Sequence, residues 1–150
     1  MIRRVGPQDV RFLRDMLRHA YHWRLAQDPD LPVYRYVSNW GRRGDAGFVA
    51  FDGLNPYGAA WYRLFTPKEP GFGFLDERTP ELTIAVAPSR RGEGVGGQLL
   101  DALLARAREE GYDAVSLSAE PEQTAFYEKH GFERVREDAD SVVMRAPLGA

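Results

Sequence analysis

Residues 90–97 read Arg-Arg-Gly-Glu-Gly-Val-Gly-Gly, and these residue types suit the binding of phosphate. The apolar run Leu82 to Ala87 precedes them, and a helical pattern opening at Val95 to Gly97 follows. A strand that passes through glycines into a helix N-terminus leaves several main-chain N–H groups unpaired and aimed one way, where the helix dipole favours negative charge. Gly92, Gly94, Gly96 and Gly97 carry no β-carbon, so the main chain can turn sharply and approach a ligand closely. Arg90 and Arg91 can add charge-assisted hydrogen bonds to phosphate oxygens.

Three phosphate-binding patterns compete for this stretch. The nucleoside-triphosphate loop needs a lysine and a hydroxyl after its last glycine, whereas Gly97 is followed by Gln98 and Leu99. The dinucleotide fingerprint fits Gly92-x-Gly94-x-x-Gly97 loosely, but it belongs at the first strand of a βαβ repeat with an acidic residue about 20 positions onward. Here it lies past mid-chain, behind segments that do not alternate in that way. The third pattern is Arg91-x-x-Gly94-x-Gly96, preceded by a strand ending in Val86-Ala87-Pro88. A further segment, Ala125-Phe-Tyr-Glu-Lys-His-Gly-Phe132, places an aromatic-tyrosine pair on a short helix that closes with glycine-phenylalanine. Together these two segments resemble the coenzyme A loop and the tyrosine signature of the GNAT superfamily of N-acyltransferases, in that family's order and at about its spacing. A strand-to-helix turn with a purely structural role would use the same glycines.

The resemblance implies an enzyme that takes acetyl-coenzyme A as co-substrate, uses no metal, and passes the acetyl group directly to an amine within a ternary complex. It implies cofactor binding by Val86, Arg91, Gly92, Gly94, Val95, Gly96 and Gly97. Such chemistry needs the amine to lose a proton, a tetrahedral intermediate to be stabilised and the departing sulfur to be neutralised. Tyr127 matches the family's phenol near the sulfur and takes the role of general acid. Glu81 stands where some members place the carboxylate that removes the amine proton, while others use water chains; a carboxylate at a strand edge is otherwise simply solvated. The oxyanion falls to main-chain N–H near Val86. The chain departs from the family pattern with Glu120 where many members carry asparagine and Gln123 where they carry alanine. Like Glu93 inside the loop, Glu120 is unfavourable beside a polyanionic cofactor unless it points outward. The alternative is an acyl-coenzyme A-binding module, a sensor or interaction domain, that kept the cradle without transfer.

The elements that must position these groups follow from the rest of the chain. Its 150 residues suit one domain, here a single GNAT-like unit over residues 1–150. Twenty basic and 22 acidic residues give a net charge of −2, which provides no overall footprint for nucleic acid or an acidic membrane. Absence of cysteine removes disulfides, thiolate metal sites and a cysteine nucleophile. No signal-like segment or run of about 20 apolar residues appears, so a soluble, cytoplasmic protein is expected.

Ile2 to Val5 reads as a strand, Gly6-Pro7 breaks it, and Val10, Leu13, Leu17, Ala20 and Tyr21 recur at helical spacing over about four turns. Val33 to Trp40 reads as a second helix before Gly41. The aromatics Tyr21, His22, Trp23, Tyr34, Tyr36 and Trp40 serve either core packing or, as the resemblance implies for this region, the walls of an acceptor site. Phe48 to Phe51 and Asn55 to Phe65 form a hairpin, and the Pro- and Gly-rich residues 66–80 form a long loop of a kind that is often functional. After the glycines come the helix with the stripe Leu99, Leu100, Leu103, Leu104 and Ala107, a parallel strand at Asp113 to Ser118, the Tyr127 helix opened by Pro121, and a final antiparallel pair. The expected order is β-α-α-β-β-β-α-β-α-β-β, a mixed α/β domain around one twisted sheet. The acceptor stays open among a small amine, an aminoglycoside-like drug, an amino acid and a peptide N-terminus. Homodimers are common in the family.

Overall fold

Residues along a strand face alternate sides of the sheet, so a strand apolar on both faces needs a cover on each. The computed structural model describes residues 1–149. Its strands are β1 (Ile2–Arg4), β2 (Ala46–Asp52), β3 (Asn55–Arg63), β4 (Glu81–Val86), β5 (Ala114–Ala119), β6 (Glu133–Glu137) and β7 (Val142–Pro147). They join in one sheet in the order β1-β2-β3-β4-β5-β7-β6. Helices α1 (Val10–Ala20), α2 (His22–Leu25), α3 (Val95–Glu109) and α4 (Thr124–Glu128) complete the expected β-α-α-β-β-β-α-β-α-β-β order of a mixed α/β fold. Ala60, Tyr62 and Leu82 face α3 and pack with its Leu99, Leu100, Leu103 and Leu104. Their neighbours Ala59, Trp61 and Ala85 face the other way and pack with Leu13, Met16 and Leu17 of α1.

Two helix expectations need correction. The first helix is one turn shorter than expected as an α-helix, because Pro7–Asp9 forms a 3-10 turn ahead of Val10. The second helix is not Val33 to Trp40: only Val33–Tyr36 winds, as a 3-10 turn, while α2 follows directly on α1. Tyrosine and valine at 33–37 have modest helix propensity, and Asn39 and Gly41 take positive φ angles of 55° and 110° that end any helix there. The wound turn buries Val33 and Tyr36 against the sheet instead.

Among the described residues only one junction in the sheet is parallel, and it is the one that matters for the site. β4 and β5 share a single register pair, Glu81↔Ser116, although β4 stays paired with β3 along its whole length. Beyond Glu81 the two strands part, opening a wedge toward their C-terminal ends. Among the described residues no helix is long and apolar enough to cross a membrane.

Candidate functional site

The wedge exposes main-chain donors. Ala87 N–H donates to Tyr57 O at 2.7 Å, which makes 57 and 87 a hydrogen-bonded pair of the antiparallel β3–β4 ladder. Antiparallel pairs alternate, so the N–H groups of Ile84 and Val86 turn away from β3 and toward the space that β5 has left. The Val86 carbonyl points the same way, and Arg91 Nε reaches across to it at 3.3 Å. This is the splay that a main-chain oxyanion or amide contact at Val86 requires.

The glycine loop continues the same wall. A short 3-10 turn, Pro88–Arg90, leads from β4, and the chain enters α3 through Gly94. Gly92 and Gly94 hold φ angles of 85° and 81°, in the left-handed region that a β-carbon disfavours. A β-carbon at either would meet no protein atom within 4 Å, so open space lies over the loop. Among the described residues, the N–H groups of residues 92–97 donate no hydrogen bond within the protein. Unpaired amides at a helix N-terminus, open to solvent and backed by the dipole of a four-turn helix, fit a diphosphate.

The two arginines divide their work. Arg90 is held away from the role of a free phosphate ligand, because Nη1 donates to Asp52 at 2.5 Å, Nε donates to Glu93 at 3.0 Å, and the guanidinium lies 3.9 Å from the Tyr57 ring centroid. The same contact answers the concern over Glu93, whose side chain turns outward to Arg90 and leaves its main-chain N–H in the cradle. Arg91 forms no ion pair among the described residues, and its exposed side chain lines the cleft.

A cleft of about 430 Å³ runs along this wall, lined by Val86, Arg91, Gly92, Gly94, Val95, Gly96 and Gly97 together with Ser118, Glu120, Phe126 and Tyr127. The cofactor residues expected from the sequence and Tyr127 therefore meet in one cavity. Glu120 and Gln123 line it too. Tyr127 is held by edge-to-face rings, with Phe126 at 5.1 Å and Phe132 at 5.7 Å between centroids. Burial pushes its phenol pKa well above the ordinary value. Among the described residues no group of His, Asp or Glu is placed to hold a metal ion.

Glu81 is placed differently from a solvated strand-edge carboxylate. It is 1 % exposed and stands outside the cleft, on the α1 face of β4. Tyr36 donates its hydroxyl to Glu81 Oε2, and the Phe72 N–H donates to that hydroxyl at 2.8 Å. Gly71 lies over Oε1 so closely that a β-carbon there would stand 2.1 Å from it. Oε1 has no hydrogen-bond partner of normal geometry, although the Gly73 main chain lies near enough to favour the charged form. Desolvation pushes the Glu81 pKa up to about 7; the Tyr36 hydrogen bond, the Gly73 main chain and the Arg24 and Arg35 charges oppose it. Beside it, Tyr21 packs on Tyr36 at 5.1 Å between centroids and shares a hydrogen bond with Thr83 at 3.0 Å.

Sequence reasoning named Tyr21 on the apolar face of the first helix and Tyr21 and Tyr36 as members of an aromatic group, and missed Arg24 and Gly71 altogether. Tyr36 meets Glu81 across 45 residues of chain, and no local pattern links them. The prolines and glycines of residues 66–80 did signal a long loop, and Gly71 of that loop lies over Glu81.

Comparison with known proteins agrees with this geometry. The model of the acetyltransferase (GNAT) family matches residues 10–132. The chain is 34% identical over 121 residues to YjcF of Bacillus subtilis (strain 168), an uncharacterized N-acetyltransferase, with 79% of each chain covered. Among solved structures it is similar to the PaiA N-acetyltransferase of Thermoplasma acidophilum in complex with coenzyme A, with a TM-score of 0.69, 16% identity and 98% of each chain covered. It is likewise similar to YncA of Salmonella typhimurium with its cofactor acetyl-CoA, with a TM-score of 0.68, 19% identity, and 100% of this chain and 94% of that one covered. A strand that parts from its neighbour, a glycine loop of unpaired amides and a tyrosine in the same cleft thus coincide with a family match over most of the sequence, and the chain belongs to the GNAT family of acetyltransferases.

Proposed function

We propose that the chain is a single-domain N-acetyltransferase that moves an acetyl group from acetyl-coenzyme A to a primary amine of a small molecule or peptide, by direct transfer in a ternary complex. The observation that carries this reading is the row of unpaired amides at residues 92–97, which lines one cleft with the free Val86 N–H and Tyr127. Acetyl-coenzyme A supplies the acetyl group as a reactive thioester. Gly92, Gly94, Val95, Gly96 and Gly97 hold its diphosphate through main-chain donors, and Arg91 adds charge at the same wall. The Val86 N–H fixes the acyl arm and donates to the oxygen that gains charge.

Tyr127 keeps its proton because burial disfavours the phenolate, and so it serves as the acid that neutralises the leaving sulfur. Glu81, with an affinity for protons poised near neutrality, suits the role of base. Its carboxylate lies behind Tyr36 and Gly71 and outside the cleft, so it takes the amine proton through water, while the Tyr36 hydroxyl holds Oε2 in place. The pH profile of kcat/KM then rises through an apparent pKa near 7, and Glu81→Gln abolishes that limb.

Calorimetry with acetyl-coenzyme A, followed by thiol release across a panel of amines, tests the proposal. Binding together with amine-dependent thiol release is expected. Binding without release from any amine would leave an acyl-coenzyme A-binding module, and failure to bind would remove the reading altogether.

A further inference from the structure

One cation next to a wall residue of the cleft makes no direct ion pair, although Glu81 lies near enough to feel its charge. Arg24 of α2 is half-buried, yet among the described residues no carboxylate pairs with it. Buried Arg63 shows the usual arrangement in this protein, with two bonds to Asp45 at 2.9 and 2.8 Å. The Arg24 guanidinium instead lies against two rings, 4.6 Å from the Trp23 centroid and 4.1 Å from that of Phe72. Its Nη2 donates to Ser118 at 2.6 Å and Ser141 at 2.9 Å, and among the described residues its Nε is buried without a partner and its Nη1 makes no hydrogen bond. A half-dehydrated guanidinium with no carboxylate bonded to it directly is unfavourable, and a guanidinium matches a carboxylate in charge and geometry.

Its place in the fold says what the anion belongs to. Ser118 stands in the wall of the cofactor cleft, beside Tyr127. Arg24 also lines a second cavity of about 220 Å³, with Asp28, Asp138, Asp140 and Ser141 around it. The guanidinium thus sits between the reaction cleft and a separate opening on the α1 face, the face that also carries Glu81 and Phe72. We propose that Arg24 binds the carboxylate of the acceptor, so that the substrate is an amino-carboxylate whose amine points into the wedge between β4 and β5. This rests on the transferase reading above. The aspartates at the rim add selectivity: Asp28 and Asp138 already hold the Asp30 N–H and Arg136, and with Asp140 they repel a second carboxylate while accepting a neutral or cationic remainder.

The test uses the full chain and matched probes, each of the twenty common amino acids beside its C-terminal amide. Thiol release from acetyl-coenzyme A is expected with kcat/KM at least tenfold higher for acids than for amides, and aspartate and glutamate should be poor acceptors. Arg24→Gln should erase the acid-over-amide preference chiefly through KM, and Arg24→Lys should restore part of it. Calorimetry of the coenzyme A-saturated protein with N-acetyl amino acids and their amides reads the same preference without turnover. If no amine releases thiol but the N-acetyl acids bind over their amides, the transferase reading fails while the carboxylate site stands. Equal use or binding of acids and amides, or a preference for diamines, would overturn the assignment, and the wild-type comparison judges it even if the variants fail to fold.

Discussion

Replacing Glu81 with glutamine should make the protein's stability less dependent on pH. Burial raises the carboxyl from its ordinary 4.5 to about 7 in the folded chain. A folded-state pKa above the unfolded one means that the folded state binds the proton more tightly. The associated stability is full below about pH 4.5, declines as the unfolded carboxyl ionises, and is lost by the time pH has risen through 7. At about 1.4 kcal/mol per unit the loss totals about 3 kcal/mol, of which about 2 to 3 kcal/mol falls between pH 5 and 8. Glutamine keeps the shape and an oxygen acceptor for Tyr36, but it cannot ionise. Its amide N–H₂ would enter a position where Oε1 now has no partner, so an unsatisfied donor costing about 1 to 3 kcal/mol offsets the gain at any single pH. The clean observable is therefore the difference in slope. Urea unfolding of wild type and Glu81→Gln at pH 5 and pH 8 should show wild type losing about 2 to 3 kcal/mol more than the variant over that interval. Parallel pH profiles would mean that the carboxyl is not held near neutrality, and the base role would lose its support.

Tyr127→Phe removes the acid but keeps the ring packing, so turnover should fall about 100-fold or more while acetyl-coenzyme A affinity by calorimetry stays within about twofold. Asp45→Ala leaves Arg63 buried without its partner, both side chains being 1–2 % exposed, and should cost about 3 to 5 kcal/mol in a denaturant titration. At Gly94, alanine at a φ of 81° should cost about 1 to 2 kcal/mol from backbone strain alone, since its β-carbon meets no protein atom; a thermal melt measures it.

Much of the fold was legible because its signals are local. The stripe from Leu99 to Ala107, the glycines at 92 and 94 and the proline at 121 each act on their own neighbourhood, and the elements they announce are present. The cradle was legible for the same reason, since loop and helix N-terminus are adjacent in sequence. What could not be read depends on contacts between distant segments. Nothing in the sequence near Glu81 says that Tyr36 and Gly71 will seal it off, nor that Asp52 will claim Arg90 from across the hairpin. Val33 to Trp40 misled because a short aromatic-rich run before a glycine reads as a helix, while the packing of Val33, Tyr36 and Val37 against β3 and β4, not helical winding, fixes it. The parting of β4 from β5 is a tertiary property as well, visible only in the register.

Amide NMR of the protein titrated with acetyl-coenzyme A bears most directly on the cradle. The N–H resonances of Val86 and of residues 92–97 should shift strongly and saturably, while those of the edge strand β6 stay in place. Tight binding with those amides unmoved, or no binding at all, would contradict the claim that this loop and the opened edge of β4 hold the coenzyme.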